Sequence, residues 1–335
     1  MWVNLRCFEA TGTPETRIEK KEPACYTEPM GRPIAWYREF VPCEALQADV
    51  YAILSFVSGS SSPPPHRSLL CEVPFRDPTF CSPQFADGHV SMLFELGHTC
   101  GADGIWRRDG SAPRGSVTGP MSEVGRTNGT DRPDMLGVYF RPGRAAAFLR
   151  VAMSELTDRT VAIDDVWGTS GLRLTEELSD LDEAGRINRL ESRLLACLSV
   201  TSGSTGSIDM PAVTAHILRH RGRVTIDAMA RAAGVSRQHF SRQFREHLGI
   251  PPKLYCRLAR FHSGLAHAHD QGRVDWAQTA LDLGYADQSH MIAEFRQFSA
   301  LTPQALVSGH WFHPFIERAR RTLPKERRDP TRSGL

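Results

Sequence analysis

Gln238, Ser241, Arg242 and Arg245 stand at i, i+3, i+4 and i+7, the spacing that places side chains on one face of a helix. Guanidinium forks, amides and hydroxyls on a helix are what the DNA major groove admits and reads by hydrogen bonding to base edges. Phe240 and Phe244 give that helix an apolar back, and Ser236 is a residue type suited to cap its start. The bland alternative is an ordinary solvated helix face.

An internal repeat argues against the bland alternative. Ala230, Gly234, Phe244, Gly249 and Pro252 are followed by Ala280, Gly284, Phe295, Ala300 and Pro303. The offsets are 50, 50, 51, 51 and 51, so the second copy carries one extra residue after its glycine. Each copy reads as helix, glycine turn, helix. In the first, Ile226, Met229, Ala230 and Ala233 form one helical face, and Gly234 permits the sharp turn.

Other residues with chemical potential form weaker patterns. The eight cysteines (7, 25, 43, 71, 81, 100, 197 and 256) include no Cys-x-x-Cys pair, so they read as unpaired thiols. Residues 1–209 contain three histidines, His66, His89 and His98, with no His-x-His pair. His98 with Cys100 is too sparse a set for a structural zinc site, and no metal and no cofactor is expected. The paired carboxylates Asp164-Asp165 precede Val166-Trp167 and are expected to cap a helix rather than do acid–base work. No catalytic residue is assigned.

The elements that must hold these residues follow from composition and pattern. At 335 residues, 41% of them hydrophobic and 23% charged, the chain has the length of two domains. Residues 1–209 hold 21 Lys+Arg against 28 Asp+Glu, a net of −7. Residues 210–335 hold 19 against 10, a net of +9, so the basic charge lies with the repeat. No apolar run is long enough to span a membrane and residues 1–30 lack a signal-peptide layout, which predicts a cytoplasmic protein with no membrane partner.

Between residues 31 and 143, short apolar runs such as Val50–Val57, His89–Leu96 and Met135–Phe140 alternate with turn signals at Ala86-Asp-Gly88, Arg108-Asp-Gly110 and Arg141-Pro-Gly143, predicting an antiparallel sandwich or barrel. Ile187, Leu190, Leu194 and Leu198 then recur at helical spacing, either packing on that barrel or pairing two chains as a homodimer. The small polar stretch 199–209 reads as a linker. The expected organisation is a tail (1–30), a sensor or dimerisation domain (31–198), the linker, a helical DNA-binding domain (210–310) and a basic tail (311–335). The fold class is α+β.

The segment from about Ala212 to Leu306 resembles the DNA-binding domain of AraC-type transcriptional regulators, in which two helix-turn-helix units are joined by a long helix. The residues that carry the resemblance are Ala230-Arg-Ala-Ala-Gly-Val-Ser-Arg-Gln-His-Phe-Ser-Arg-Gln-Phe244, then Ala280-Leu-Asp-Leu-Gly-Tyr-Ala-Asp-Gln-Ser-His-Met-Ile-Ala-Glu-Phe-Arg296 and Leu301-Thr-Pro303. The resemblance implies reading helices at Ser236–His247 and about Asp287–Phe298, with a connecting helix at about Pro252–His269. Arg237, Gln238, Ser241, Arg242, Gln288, Ser289 and Ile292 are then the expected base-reading residues, and Arg245, Arg257, Arg260 and Arg296 the phosphate contacts. The second unit departs from the pattern: Ala293 stands where the family often has arginine, and Ala300 where it has glycine. The first unit is therefore expected to read most of the sequence.

Residues 31–198 resemble an uncharacterised domain found on many such regulators, through Arg38-Glu-Phe-Val-Pro42, Ala86-Asp-Gly88, Met92–Gly97, Thr118-Gly-Pro-Met121 and Gly137–Gly143. Ala86 occupies a position where that family usually has proline. The resemblance implies a β-rich, cupin-like sensor, with Trp36, Tyr37, Phe94, Trp106, Tyr139 and Phe140 either lining an effector pocket or forming ordinary core. The partners implied are double-stranded DNA, a small-molecule effector if one exists, and RNA polymerase if the protein activates. Two alternatives stand beside the regulator: a cupin-type metal enzyme fused to a DNA-binding domain, and a weakly specific DNA-coating protein.

Overall fold

In the computed structural model, the described residues are 6–7, 35–58, 63–75, 83–96, 114–126, 134–199, 208–270 and 274–308. Residues 200–207 of the 199–209 linker and residues 309–335 lie outside them, as do Trp106, His98, Cys100 and all of residues 1–34 except 6–7.

The amino-terminal part is built on antiparallel strands: β1 (Arg6–Cys7), β2 (Ala35–Phe40), β3 (Val50–Ser58), β4 (Leu69–Phe75), β5 (Pro83–Gln84), β6 (Ser91–Glu95), β7 (Gly115–Thr118), β8 (Gly125–Arg126), β9 (Met135–Phe140) and β10 (Thr160–Ala162). Eight of them form one sheet in the order β1-β4-β2-β3-β9-β6-β7-β10, and β5 pairs with β8 separately. Two residues of the segment read as a tail, Arg6 and Cys7, pair with Glu72 and Cys71 of β4.

Alternation along these strands divides the apolar residues between two faces. Phe40, Ile53, Met92, Phe94, Val117, Leu136, Val138 and Phe140 join one core, while Tyr37, Tyr51, Leu54 and Tyr139 form a smaller cluster with Phe56. Tyr139 and Phe140 are chain neighbours and so face opposite sides. The aromatic set considered for one effector pocket is thus split between two clusters.

Helices cover the larger face: α1 (Ala146–Leu149), α2 (Met153–Leu156), α3 (Ile163–Trp167), α4 (Thr169–Ser179) and α5 (Glu183–Leu198). Asp182 caps α5 by accepting from Gly185 N at 2.8 Å. Ile187, Leu190 and Leu194 of α5 are fully buried in the sheet's own core, the intrachain half of the alternative posed for that stripe. Asp164 and Asp165 sit in the first turn of α3, where they favour the helix electrostatically. The cap position itself belongs to Ala162, which makes no side-chain cap bond.

Charge also fastens α5 to the sheet. Arg38 of β2 is completely buried, pairing with Glu72 at 2.8 Å and with Glu183 of α5 at 2.7 Å. Arg67 reaches Glu191 at 2.7 Å, and Arg186 reaches Asp134 at 2.6 Å.

The carboxyl-terminal part is helical throughout: α6 (Met210–Arg219), α7 (Ile226–Ala232), α8 (Arg237–Leu248), α9 (Pro252–Asp270), α10 (Trp276–Asp282), α11 (Gln288–Ser299) and α12 (Pro303–Ser308). Its core gathers Phe240, Phe244, Phe261, Phe295 and Phe298, all completely buried, around α9. Gly264 lets α9 approach α11 closely: a Cβ there would lie 2.7 Å from Phe295 Cζ. Among the described residues, no helix is long and apolar enough to cross a membrane.

The two parts share this core. Phe85 and Ala86, from the loop after β5, are buried among the helices, with Phe85 edge-on to Phe261 at 6.2 Å between centroids. Ala86 N donates to Phe298 O at 3.0 Å, and His262 Nε2 donates to Ala86 O at 3.3 Å. Gly88, at φ +62°, sits close against Ile250, Leu258 and Tyr255. A second contact joins α2 to the end of α8, where Thr157 Oγ1 donates to Gly249 O at 2.8 Å and Pro120 crowds Gly249. The Ala86-Asp-Gly88 stretch, read in the sequence as a turn between strands, is therefore also a wedge in the helical core.

Candidate nucleic-acid interface

Each repeat copy folds as helix, glycine turn, helix. Gly234 and Gly284 follow the first helix of each copy at φ +69° and +77°, the left-handed backbone that glycine adopts without Cβ strain. After Gly234, Ser236 caps α8 by accepting from His239 N at 3.2 Å. After Gly284, Asp287 caps α11 by accepting from His290 N at 2.7 Å. The caps fix where each reading helix begins, one residue after the cap in both cases.

Burial then orients each helix. In α8, Phe240, Phe244 and Leu248 are buried. That leaves Arg237, Gln238, Arg242 and Arg245 exposed and Ser241 half-buried. In α11, Met291, Phe295 and Phe298 are buried, leaving Gln288, Ser289, Ala293 and Arg296 exposed and Ile292 half-buried. The expected base-reading residues thus share the open face of their own helix. Arg242 is held by the His239 ring at 3.1 Å, and Arg237 lies 3.4 Å from Asp227.

The arginines of the connecting helix are engaged inside the domain. Arg257 Nε meets Glu294 Oε1 at 2.5 Å, its Nη2 meets Gln297 at 2.5 Å, and its guanidinium lies 5.0 Å from the Phe298 ring. This arginine, expected at a phosphate, also ties α9 to α11 through Glu294 and Gln297. Arg260 stacks on Tyr285 at 5.2 Å and donates to Gly284 O at 3.3 Å.

Sequence spacing did not single out Arg223 or Lys253. Arg223 directly follows Gly222, a left-handed glycine pressed against the Cys256 carbonyl, and Lys253 sits in the first turn of α9 after Pro251-Pro252. Proximity to these turn residues was the available signal. Among the described residues, no group of three or more His, Cys, Asp or Glu side chains is arranged to hold a metal ion.

Ala300 stands in the second copy where Gly249 stands in the first. It takes φ +60°, a left-handed conformation that a Cβ disfavours. The sequence departure noted there is accommodated as backbone strain, with the fold of the copy unchanged.

Comparison with known proteins gives the following. A family model described as a helix-turn-helix domain matches residues 229–308. A model described as a domain of unknown function, DUF6597, matches residues 38–162. No curated protein matches the chain. Among solved structures, the chain is similar to the C-terminal domain of AraT, a response regulator from Geobacillus stearothermophilus, at 18% identity over 38% of this chain and 96% of that one, with a TM-score of 0.27. It is also similar to ToxT from Vibrio cholerae O395, at 10% identity over 69% of this chain and 95% of that one, with a TM-score of 0.36.

Proposed function

We propose that this chain, whose carboxyl-terminal part is a helix-turn-helix domain of the AraC type, is a sequence-specific transcription regulator that reads DNA mainly through its first unit. The observation that carries the reading is the front of α8. Its cap and its buried phenylalanines leave Arg237, Gln238, Arg242 and Arg245 exposed together, and their donors suit base edges and phosphates. On α11, Gln288 and Ser289 supply donors and acceptors, Ile292 supplies an apolar contact for a thymine methyl, and Arg296 supplies a phosphate contact.

The amino-terminal domain modulates this reading. Support comes from the two intrachain contacts, because each reaches the end of a reading helix: Thr157 and Pro120 at the close of α8, and Ala86 at Phe298 near the close of α11. A change in the sheet domain that moved α2 would act on α8, and one that moved residues 85–89 would act on α11.

Footprinting of the full chain on DNA selected from a random duplex library tests the reading. The expected result is a bounded footprint of about two adjacent helical turns that survives physiological salt and competitor DNA. Protection that spreads without boundaries and vanishes with salt would refute specific reading and favour a DNA-coating role.

A further inference from the structure

Four cations converge where the two helix-turn-helix units meet. A cleft of about 550 Å³ is lined by Arg223 and Thr225 before α7, Arg237 at the start of α8, Lys253 and Arg260 on α9, and Gly284 from the turn of the second unit. The cleft is open and strongly basic. Its one carboxylate, Asp227, lies beside Arg237. Cys256 adds no charge, since burial pushes its thiol up to about 11 and keeps it protonated.

Two of these cations are held in place by the second unit. Arg223 Nη1 donates to Asp282 O at 3.1 Å, and Arg260 Nη1 donates to Gly284 O at 3.3 Å. Each carbonyl engages one N–H of a group that has five, so donors remain while the guanidinium orientation is already set. Arg260 Nε is buried without a hydrogen-bond partner, although its plane rests on Tyr285. Gly222 and Gly284, both left-handed, carry no side chain at the wall. Lys253 is exposed at the mouth and, among the described residues, has no ion-pair partner.

We propose that this cleft is a phosphodiester seat, which takes one backbone phosphate of DNA lying between the stretches read by α8 and α11. The inference rests on the DNA-binding reading and adds to it a contact whose cations, Arg237 of α8 excepted, lie outside both reading helices. Oriented, convergent guanidinium and ammonium donors are the chemistry that recognises a phosphoryl oxygen. Arg237 at the cleft rim is also the first residue of α8, so a strand engaged by that helix passes the opening. Because the donors come from the first unit and the connecting helix, and the carbonyls that anchor Arg223 and Arg260 from the second unit, a seated phosphate fixes the two units against each other.

The test uses the full chain and a selected duplex in which single phosphates are replaced, one linkage at a time, by neutral methylphosphonates. Wild type should lose affinity when one linkage between the two read stretches is neutralised, and Lys253→Gln should lose measurably less at that same linkage, because one of the four cations facing it is gone. Lys253→Gln should also lower the slope of log K against log salt, by at most about 0.9, the loss of one whole phosphate contact, with Lys253→Arg restoring it. Equal sensitivity of wild type and Lys253→Gln at every linkage would overturn the seat while leaving DNA binding intact. Wild type that binds no duplex would overturn the DNA reading and the seat together. Inorganic phosphate whose ³¹P line is broadened by wild type but not by Lys253→Gln, with the methylphosphonate pattern unchanged, would assign the cleft to a free anion and also overturn the seat.

Discussion

Gly249 and Gly234 offer a matched pair of substitutions that isolates the contact between the two parts of the chain. Both have positive φ, +82° and +69°, so alanine at either position costs about 1–2 kcal/mol or more in backbone strain, and more at Gly249, whose ψ of −34° lies outside the left-handed region. Their surroundings differ. A Cβ at Gly234 meets nothing within 4 Å, whereas one at Gly249 overlaps Pro120 and comes within 2.8 Å of Met153 O and 3.0 Å of Thr157 Oγ1. Overpacking of this kind costs about a further 1–3 kcal/mol. Guanidinium unfolding of the full chain should therefore show Gly249→Ala less stable than Gly234→Ala by that excess. Adding Pro120→Ala to Gly249→Ala should recover part of the excess, and Met153 O, a backbone atom, should keep the rest. If the two single variants are equally stable, or Gly249→Ala is the milder, α2 does not pack on α8 as described and modulation through that contact falls.

Four further outcomes are expected. Arg242→Ala should weaken binding to a selected site by about 1–3 kcal/mol, roughly 5- to 150-fold, and relax preference at one base pair in a mobility-shift competition; unchanged base preference would remove Arg242 from the reading set. Ala300→Gly should stabilise the protein by about 1 kcal/mol in chemical denaturation, because it relieves a left-handed alanine. Arg38→Met should cost about 3–5 kcal/mol of stability, since it leaves Glu72 and Glu183 facing each other without their shared cation. Ala86→Pro should cost about 1–3 kcal/mol by deleting the N–H that Phe298 O accepts, and a melting curve identical to wild type would contradict that bond.

Short-range pattern made the helical half legible. Ser236, Gly234 and the Phe240/Phe244 spacing placed the start of α8 within a residue of where it is observed, and the resemblance to AraC-type domains placed α11. Gln238 and Arg242, picked by helical periodicity, are exposed on α8. What sequence spacing missed lies between distant segments. Arg257 was expected at a phosphate, and its ion pair was not legible because Glu294 belongs to another helix, 37 residues on. Arg38 figured in the sequence only as part of the Arg38–Pro42 stretch, and only the fold brings Glu72 and Glu183 to it. Arg223 and Lys253 gain their setting from a joint between repeat copies, which neither copy contains alone. The substitution at position 86 was visible as a departure from the related domains, but its role was not: alanine has the N–H that proline lacks, and Phe298 O receives it.

The wedge formed by Phe85 and Ala86 also bears on the order in which the protein is made. These residues leave the ribosome well before the first helix of the repeat, so the helices of the carboxyl-terminal part condense onto a plug already synthesised. A fragment that starts at α6 would be born with an empty apolar socket beside Phe261 and Phe298. For the same reason, a chimera cut at the linker and joined to a foreign sensor would inherit that socket unless the graft also carried residues 85–89.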